Sequence, residues 1–322
     1  MSVGTDTDTG VVPCRACQSP VFDDEFFCEA CGTRVSGEPA ATPAAEVRPP
    51  SEREERDLGV VAAVTDRGHR RPRNEDAMAI ATADGRSVIV VCDGVASTAN
   101  SHLASRAAAD AALAVLEPVL YAPSWPDTNG IHDLMEAAFA EAQVAVTRVP
   151  EDEPDGNDVS PSTTMVAAIA TPEFVAVGNI GDSRGYWLSS LASNSRLLTA
   201  DDSWAQDSIA DGVAPDLAYA HPDAHTITRW IGGDADSVVP TLTLMEVTEP
   251  GLLVLCSDGL WNYFEDVERL GDLVPRTASS PMAIARQFTD AALDAGGNDN
   301  ITVAVAPLGV ARTEAVPAGN EE

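Results

Sequence analysis

Four short acidic segments of the sequence carry the residue types that hold divalent metal ions. They are Arg71-Pro72-Arg73-Asn74-Glu75-Asp76, Val91-Cys92-Asp93-Gly94, Cys256-Ser257-Asp258-Gly259 and Gly297-Asn298-Asp299-Asn300. Hard cations such as Mg²⁺ and Mn²⁺ prefer oxygen ligands. Two carboxylates about 4 Å apart repel each other by roughly 4 kcal/mol at an effective dielectric near 20, so converging carboxylates need a cation to neutralise them. The four segments therefore predict a divalent metal centre.

The residues around Asp93 and Asp258 place both carboxylates at rigid positions. Each aspartate follows an apolar, β-branched run, at residues 87–92 and 252–256, and each precedes a glycine. This pattern predicts a buried strand that ends at the aspartate. An Asp-Gly pair also makes an ordinary turn, and that alternative holds for any single pair. Four acidic segments in this order and context favour the metal centre.

The sequence from Leu58 onward has the pattern of a mixed α and β domain. β-rich runs predict strands at residues 59–65, 77–82, 87–92, 164–170, 174–179, 183–188, 240–247, 251–256 and 300–306. Alanine-rich stretches with apolar residues at three- and four-residue spacing predict helices at residues 102–117, 131–147 and 281–295. Grouped strands and paired helices predict sheets packed on sheets with helices outside.

Six segments, taken in order, resemble the successive motifs of the bacterial metal-dependent protein phosphatases of the protein phosphatase 2C type. They are residues 65–76, Asp93-Gly94, residues 162–164, residues 179–184, residues 255–261 and residues 299–303. The resemblance runs from about residue 58 to 308. It implies an α+β fold, the four-layer αββα sandwich of that family.

The resemblance also implies an activity, the hydrolysis of phosphoserine and phosphothreonine in proteins. In the family, a water activated by two Mn²⁺ or Mg²⁺ ions about 3.5 to 4 Å apart attacks the phosphorus in line. Asp93 would bridge the two ions and the carbonyl of Gly94 would bind one of them. Asp258 and Asp299 would bind the other. The residues implied at metal-bound waters are Glu75 and Asp76.

Arg71 matches the family position that holds the substrate phosphate. A guanidinium fork there pairs two phosphate oxygens at once. The neighbouring Arg67, Arg70 and Arg73 are alternatives for this role. We expect Arg71 to fill it.

A third, weaker metal is bound in bacterial members through an aspartate just before the segment at residues 162–164. Asp158 is the nearest acidic residue on that side, and Asp155 is the second candidate. A further segment, residues 200–234, corresponds to the family's flap region, which lies beside the site and tends to govern substrate choice.

The segment after Asp93-Gly94 departs from the family pattern. The family usually has a Gly-Gly pair there, whereas this chain has Val95, Ala96 and Ser97, and Ser162 stands where glycine is usual. These changes leave open a catalytically weak module that binds phosphoproteins without hydrolysing them. The small side chains and the retained carboxylates favour an enzyme.

Four cysteines near the start of the sequence form a C-x₂-C-x₁₀-C-x₂-C array, Cys14, Cys17, Cys28 and Cys31. Four thiolates so spaced predict one structural Zn²⁺ in a small zinc ribbon. Two disulfides or a redox pair are the alternatives. An adaptor whose zinc ribbon is the active part is an alternative function for the chain. The other two cysteines, Cys92 and Cys256, are expected to be buried small hydrophobes, with a regulatory thiol pair as the alternative.

The composition changes along the chain predict five segments. Residues 1–13 are expected to be disordered, residues 14–34 to form the zinc ribbon and residues 35–57 to be a flexible linker. Residues 58–308 are expected to form the phosphatase domain, and residues 309–322 a disordered tail.

The charge and hydropathy of the chain restrict its partners. The formal net charge is −32 over 322 residues and lysine is absent, which opposes binding to nucleic acid. No basic, apolar leader and no apolar run of about 18 residues is present, so we expect a cytoplasmic protein without membrane partners. The implied partners are phosphoserine and phosphothreonine proteins, among them serine/threonine kinases and their substrates.

Overall fold

A computed structural model describes residues 11–14, 20–22, 53–151, 159–275 and 280–309. Its strands are β1 (Val11–Pro13), β2 (Pro20–Phe22), β3 (Arg53–Asp57), β4 (Ala62–Asp66), β5 (Asp76–Ala83), β6 (Arg86–Asp93), β7 (Ser162–Thr163), β8 (Met165–Ala170), β9 (Phe174–Ile180), β10 (Arg184–Ser189), β11 (Arg196–Leu197), β12 (Ile231–Gly232), β13 (Thr241–Glu246), β14 (Gly251–Cys256) and β15 (Ile301–Leu308). Its helices are α1 (Ser101–Leu116), α2 (Thr128–Val146), α3 (Trp204–Ala210), α4 (Pro215–Tyr219), α5 (Asp258–Trp261), α6 (Val267–Asp272) and α7 (Pro281–Asp294), with 3₁₀ turns at Glu117–Tyr121 and Ala192–Asn194.

Two antiparallel sheets form the centre of the domain. The six-stranded sheet has the order β11-β10-β14-β15-β4-β3, and the five-stranded sheet has the order β13-β9-β8-β6-β5. Successive side chains of a strand point to opposite faces, so each sheet contributes to two cores. In β6, Ile89 and Val91 pack between the two sheets, whereas Val88 and Val90 pack on the outer side.

The outer faces of both sheets are covered by helices. Alanines of α1 at positions 104, 108, 109 and 112 share one apolar cluster with α2 and the outer face of the five-stranded sheet. Phe288 of α7 shares another cluster with the outer face of the six-stranded sheet. The layers are therefore helix, sheet, sheet and helix, and the predicted α+β sandwich is confirmed.

Residues 53–57 were expected to belong to the linker, and this part of the expectation is wrong. They form β3, which pairs antiparallel with β4 from Arg53 opposite Asp66 to Asp57 opposite Ala62. Arg53 lies 3.5 Å from the buried carboxylate of Asp66 and 2.9 Å from Asp290 of α7. Backbone pairing and ion pairs hold this charged strand, so its sequence has no apolar alternation.

At the other end of the chain, β1 and β2 pair antiparallel and flank residues 14–19. Cys14 is buried. Cys17, Cys28 and Cys31 lie outside the described residues, so the zinc ribbon stays a prediction, as do the linker from residue 35 to 52 and the tail after residue 309. In the described part of the chain, no helix combines the length and the apolar character needed to cross a bilayer.

Candidate metal centre

The carboxylates singled out in the sequence lie where strands of the two sheets begin or end. Asp76 opens β5 and Asp93 ends β6, and the two are partners in the antiparallel register. Asp258 lies two residues after the end of β14, at the first position of α5, and Asp299 precedes β15. The hydroxyl of Ser257 crosses between the sheets and donates to Oδ2 of Asp76 at 2.7 Å. Both sheets therefore deliver carboxylates to one end of the sandwich.

Two carboxylate oxygens in this cluster are buried without a hydrogen-bond partner among the described residues, Oδ1 of Asp76 and Oδ1 of Asp258. The second oxygen of each group is engaged, by Ser257 for Asp76 and by Nδ2 of Asn262 at 3.0 Å for Asp258. A buried polar atom without a partner is costly. Two such carboxylate oxygens fit the ligand chemistry of a hard divalent cation.

Burial and mutual repulsion raise the pKa of the cluster's carboxyl groups. Loss of hydration, opposed by the hydrogen bond from Ser257, raises the pKa of Asp76 to about 7. The pKa of Asp93 lies well above its usual range, because of lost hydration and then the charges of Asp76, Asp258 and Asp299. Lost hydration, and then the charges of Asp299, Asp182 and Asp76, raise the pKa of Asp258. These groups can all be ionised at neutral pH only if a positive charge compensates them.

Glu75 is fixed by contacts with α1 and with the turn after β6. Its Oε1 accepts from Ser101 Oγ at 2.7 Å, and its backbone carbonyl accepts from Gly94 N at 3.2 Å and from Ser105 Oγ. A Cβ at Gly94 would lie 2.7 Å from that carbonyl oxygen. Only glycine fits there, so the backbone of Gly94 is held against the backbone of Glu75.

Asn300, which was not predicted as a site residue, joins the loop before β5 to the loop before β15. Its Oδ1 accepts from Glu75 N at 2.8 Å, and its Nδ2 donates to the carbonyls of Arg67 and Arg73 at 2.8 and 3.0 Å. The loops touch so closely that a Cβ at Gly68 would lie 2.0 Å from the carbonyl oxygen of Asp299.

The side chain of Arg71 forks onto Asp299. Nε donates to Oδ1 at 3.0 Å and Nη2 donates to Oδ2 at 3.2 Å. Of its neighbours, Arg67 donates to the carbonyl of Arg71 at 2.6 Å, and Arg73 is half exposed, 3.7 Å from Glu75. Arg71 is thus the arginine whose fork already matches a two-oxygen anion at the cluster.

Asp182 joins the cluster and was missed as a site residue. It follows β9, and loss of hydration, with the charge of Asp201 as the next cause, raises its pKa to about 7. Its charge in turn contributes to the raised pKa of Asp93 and Asp258. The sequence signal was available, because Asp182 closely follows the β-rich run at residues 174–179 and lies in the motif segment at residues 179–184.

The loop that departs from the family pattern forms an ordered turn. Val95 N donates to the carbonyl of Ser162 at 3.0 Å, and its own carbonyl accepts from both the amide and the hydroxyl of Thr98. The hydroxyl of Thr98 also lies 3.2 Å from Ser162 N. Backbone and hydroxyl hydrogen bonds therefore hold the segment after Gly94 against Ser162.

The predicted metal ligands do not all meet at one point in this conformation. Within residues 53–151, 159–275 and 280–309, no three carboxylate, imidazole or thiol groups are close enough together to hold one ion. Arg71 engages both oxygens of Asp299. Asp158 and Asp155 lie outside the described residues. The full ligand set stays a prediction, and the oxygen-only donor set fits Mg²⁺ or Mn²⁺.

Cys92 and Cys256 are buried thiols on opposite sides of the sandwich. Cys92 packs under α1 and α2, and Cys256 packs under α7. Burial raises the pKa of both thiols. They are packed as small hydrophobes, and a disulfide between them is excluded by the two sheets that separate them.

Known proteins resemble this chain in sequence. A family profile described as protein phosphatase 2C matches residues 66–293. The serine/threonine protein phosphatase PstP of Mycobacterium tuberculosis is 32% identical over 252 residues, which cover 77% of this chain and 44% of the relative. This chain therefore matches less than half of that relative's length. The serine/threonine phosphatase stp of Listeria monocytogenes is 31% identical over 247 residues, which cover 74% of this chain and 92% of the relative.

Solved structures resemble it in fold. The crystal structure of the serine/threonine phosphatase Stp1 from Staphylococcus aureus superposes with a TM-score of 0.65 at 25% identity, over 79% of this chain and 98% of the other. The crystal structure of the PstP/Ppp phosphatase of Mycobacterium tuberculosis gives a TM-score of 0.60 at 28% identity, over 77% of this chain and 97% of the other.

Proposed function

We propose that this chain, which belongs to the protein phosphatase 2C family, is a metal-dependent protein phosphatase that hydrolyses phosphoserine and phosphothreonine. One observation carries the proposal: Asp76 and Asp258 each keep one carboxylate oxygen buried and without a partner, beside Asp93, at the end of the sandwich. Bound Mn²⁺ or Mg²⁺ ions supply such a site with charge neutralisation and an activated water.

The residues proposed to hold the metal ions are Asp93, Gly94, Asp258 and Asp299, with Glu75 and Asp76 behind them. Hydrogen bonds from neighbouring groups set the direction of the ligands. Asn262 fixes one oxygen of Asp258, and Ser257 fixes one oxygen of Asp76, and the second oxygen of each is buried without a hydrogen-bond partner among the described residues. Partners of this kind orient a ligand before its metal arrives.

Arg71 is proposed to bind the substrate phosphate. Its guanidinium fork now pairs with the two oxygens of Asp299, and a phosphate offers the same two-oxygen geometry. Carboxylate and phosphate are then alternative partners of one fork. Arg71 would hold the phosphate at the cluster while the phosphorus–oxygen bond to serine or threonine breaks.

The proposed substrates are phosphoproteins, and serine/threonine kinases and their targets are the proposed partners. The relatives from Mycobacterium tuberculosis and Listeria monocytogenes carry the name serine/threonine phosphatase, which supports this class of substrate. We propose Asp158 as the ligand of a third, weaker metal.

The cysteine array is proposed to bind one structural Zn²⁺ through Cys14, Cys17, Cys28 and Cys31. The spacing supports this proposal. Metal analysis of the purified chain should find one zinc per chain and none in Cys28→Ser, with hydrolysis of a small phosphoester nearly unchanged. Equal zinc content in both proteins would contradict the zinc ribbon.

The experiment that tests the phosphatase is the hydrolysis of p-nitrophenyl phosphate and of a phosphothreonine peptide by the purified chain. Activity should require Mn²⁺ or Mg²⁺ and disappear with a chelator. Binding of the phosphopeptide without turnover at saturating Mn²⁺ would favour the phosphoprotein-binding module instead.

A further inference from the structure

The flap region, residues 200–234, is a small folded unit whose entering and leaving segments lie side by side. It contains α3 and α4 around an interior of its own, formed by Ala205, Ile209, Ala218 and Ala224. The chain pairs with itself where it enters and leaves this unit: Trp204 N donates to the carbonyl of Thr226 at 2.9 Å, and Ala205 N to that of Ala224 at 3.1 Å. We call residues 202–205 and 224–229 the flap neck.

Asp202 forms hydrogen bonds in and next to the flap neck through its backbone amide, its carbonyl and both carboxylate oxygens. Its amide donates to the carbonyl of Gly181 at 3.0 Å, and its carbonyl accepts from Thr228 N at 2.9 Å. Its Oδ2 accepts from Gly181 N at 2.9 Å, and its Oδ1 accepts from Nη1 of Arg229 at 3.0 Å. Because Gly181 directly precedes Asp182, this one side chain connects the flap neck to the carboxylate cluster.

Arg229 extends the connection to the five-stranded sheet. Its Nη1 pairs with Asp202, and its Nη2 donates to the carbonyl of Val239, just before the edge strand β13. The guanidinium at the end of the flap therefore contacts both the start of the flap and the segment that leads into β13. A charge-assisted contact that joins three segments restricts their relative orientation.

The preceding residue, Asp201, faces the core instead. It receives a two-pronged contact from Arg184, with Nε to Oδ1 at 3.0 Å and Nη2 to Oδ2 at 2.6 Å. The guanidinium of Arg184 lies 3.8 Å from the ring centre of Trp261, whose Nε1 donates to the carbonyl of Asp182 at 2.9 Å. Asp201 thus supports the metal centre, whereas its neighbour Asp202 holds the flap.

We propose that the Asp202–Arg229 pair is a positioning and specificity-determining device, which fixes the flap beside the metal centre so that a protein substrate can contact both. The inference rests on the proposed phosphatase function. The flap carries exposed apolar side chains at Val213, Leu217 and Tyr219, a surface that a phosphoprotein can contact and a small phosphoester cannot. Loss of the pair should therefore affect the two substrate classes differently.

The test compares phosphorylated casein with p-nitrophenyl phosphate at saturating Mn²⁺, using the full chain. Arg229→Gln should lower kcat/KM for casein about tenfold, mainly by raising KM, since one charge-assisted contact is lost. The small ester should change by less than about twofold, because it does not contact the flap. Arg229→Lys, which keeps the charge but not the fork, should fall between wild type and Arg229→Gln. Arg196→Gln, an exposed arginine outside the flap neck, is the matched control and should equal wild type on both substrates.

The outcomes distinguish a failure of the proposed function from a failure of this inference alone. A wild-type chain that hydrolyses neither substrate with Mn²⁺ overturns the proposed function and this inference together. A wild-type chain active on both, with an unchanged substrate ratio in Arg229→Gln, overturns the inference alone, as does an equal fall on both substrates. If Arg229→Gln does not fold, Asp202→Asn provides the same ratio, because an amide oxygen still accepts from Gly181 N while the charge pair is lost.

Discussion

Asp76 and Asp93 lie directly opposite each other at the adjoining ends of β5 and β6, so two carboxylates are forced together by strand register alone. The backbone pairing continues from this point through eight residue pairs to Ala83 opposite Arg86. The backbone pairing of this hairpin therefore holds the two carboxylates close together despite their repulsion. A cation is the natural partner of such a pair.

Removal of a ligand charge should abolish hydrolysis. Asp93→Asn, Asp258→Asn and Asp299→Asn should each lower Mn²⁺-dependent kcat/KM for p-nitrophenyl phosphate by roughly a hundredfold or more, because the metal ions contribute several kcal/mol of charge stabilisation. Asp216→Asn, an exposed flap position, is the control. Chelator-resistant turnover at the wild-type rate in any of these three variants would contradict the two-metal hypothesis.

The stability of the metal-free protein should depend on pH because of Asp76. Its pKa in the folded protein is about 7, above the ordinary 3.8, so the folded state holds a proton that the unfolded state has lost. Stability should therefore be highest below about pH 4 for this group and fall as the pH rises to 7. Thermal unfolding with chelator measures the fall. Added Mn²⁺ should raise Tm more at pH 8 than at pH 5, and an equal shift at both would contradict the assignment.

Loss of the arginine fork should weaken substrate binding. Arg71→Ala should lower kcat/KM for a phosphopeptide about ten- to a hundredfold, mostly through KM, because a charge-assisted contact contributes about 1.5 to 3 kcal/mol. The variant should also bind Mn²⁺ more tightly, since Asp299 loses a competing partner. Arg73→Ala is the matched control. If Arg73→Ala shows the loss and Arg71→Ala does not, the phosphate position is assigned to the wrong arginine.

Replacement of Asn262 should lower the affinity for the metal ion and leave substrate turnover at saturating metal nearly unchanged. Asn262→Ala removes the donor to Oδ2 of Asp258, and loss of such an orienting partner typically lowers metal affinity about ten- to a hundredfold. A Mn²⁺ titration of activity should show a raised half-saturation point with kcat nearly restored at high Mn²⁺. Asn129→Ala, at an exposed position of α2, serves as control. A reduced kcat that excess Mn²⁺ does not recover would point to another role.

Truncation should locate the start of the domain. A chain that begins at residue 53 should unfold at the wild-type temperature of the phosphatase domain, whereas one that begins at residue 58 should lose several degrees of Tm. The second chain lacks β3, and the buried Asp66 loses its ion pair with Arg53. Equal melting temperatures would place β3 outside the cooperative unit.

Much of the fold could be predicted because its long elements have a clear hydrophobic period. The run at residues 87–92 became β6, and the expected strand at residues 251–256 is β14 as predicted. The strand β3 could not be predicted, because all five of its residues are charged and it is held by pairing with β4. Two-residue strands such as β7 and β12 are too short to show a period.

Individual site residues could be predicted from local sequence signals, but the contacts that bring them together could not. Asp93 and Asp258 follow apolar runs and precede glycine, which the sequence displays directly. The fork of Arg71 onto Asp299 joins residues 228 positions apart, and no local pattern reports it. Asn300 and Asp182 likewise act through contacts between loops. These positions become visible only when the strand order is known.

The charged strand β3 also has a consequence for the behaviour of the protein in concentrated solution. It forms one edge of the six-stranded sheet, and its exposed Glu and Arg side chains discourage another chain from adding a strand there. Without it, the edge would be β4, whose side chains are all buried and apolar or hydrogen-bonded in the intact sheet. Chains that begin after residue 57 should therefore self-associate. Residues 53–57 thus protect the sheet edge from aggregation.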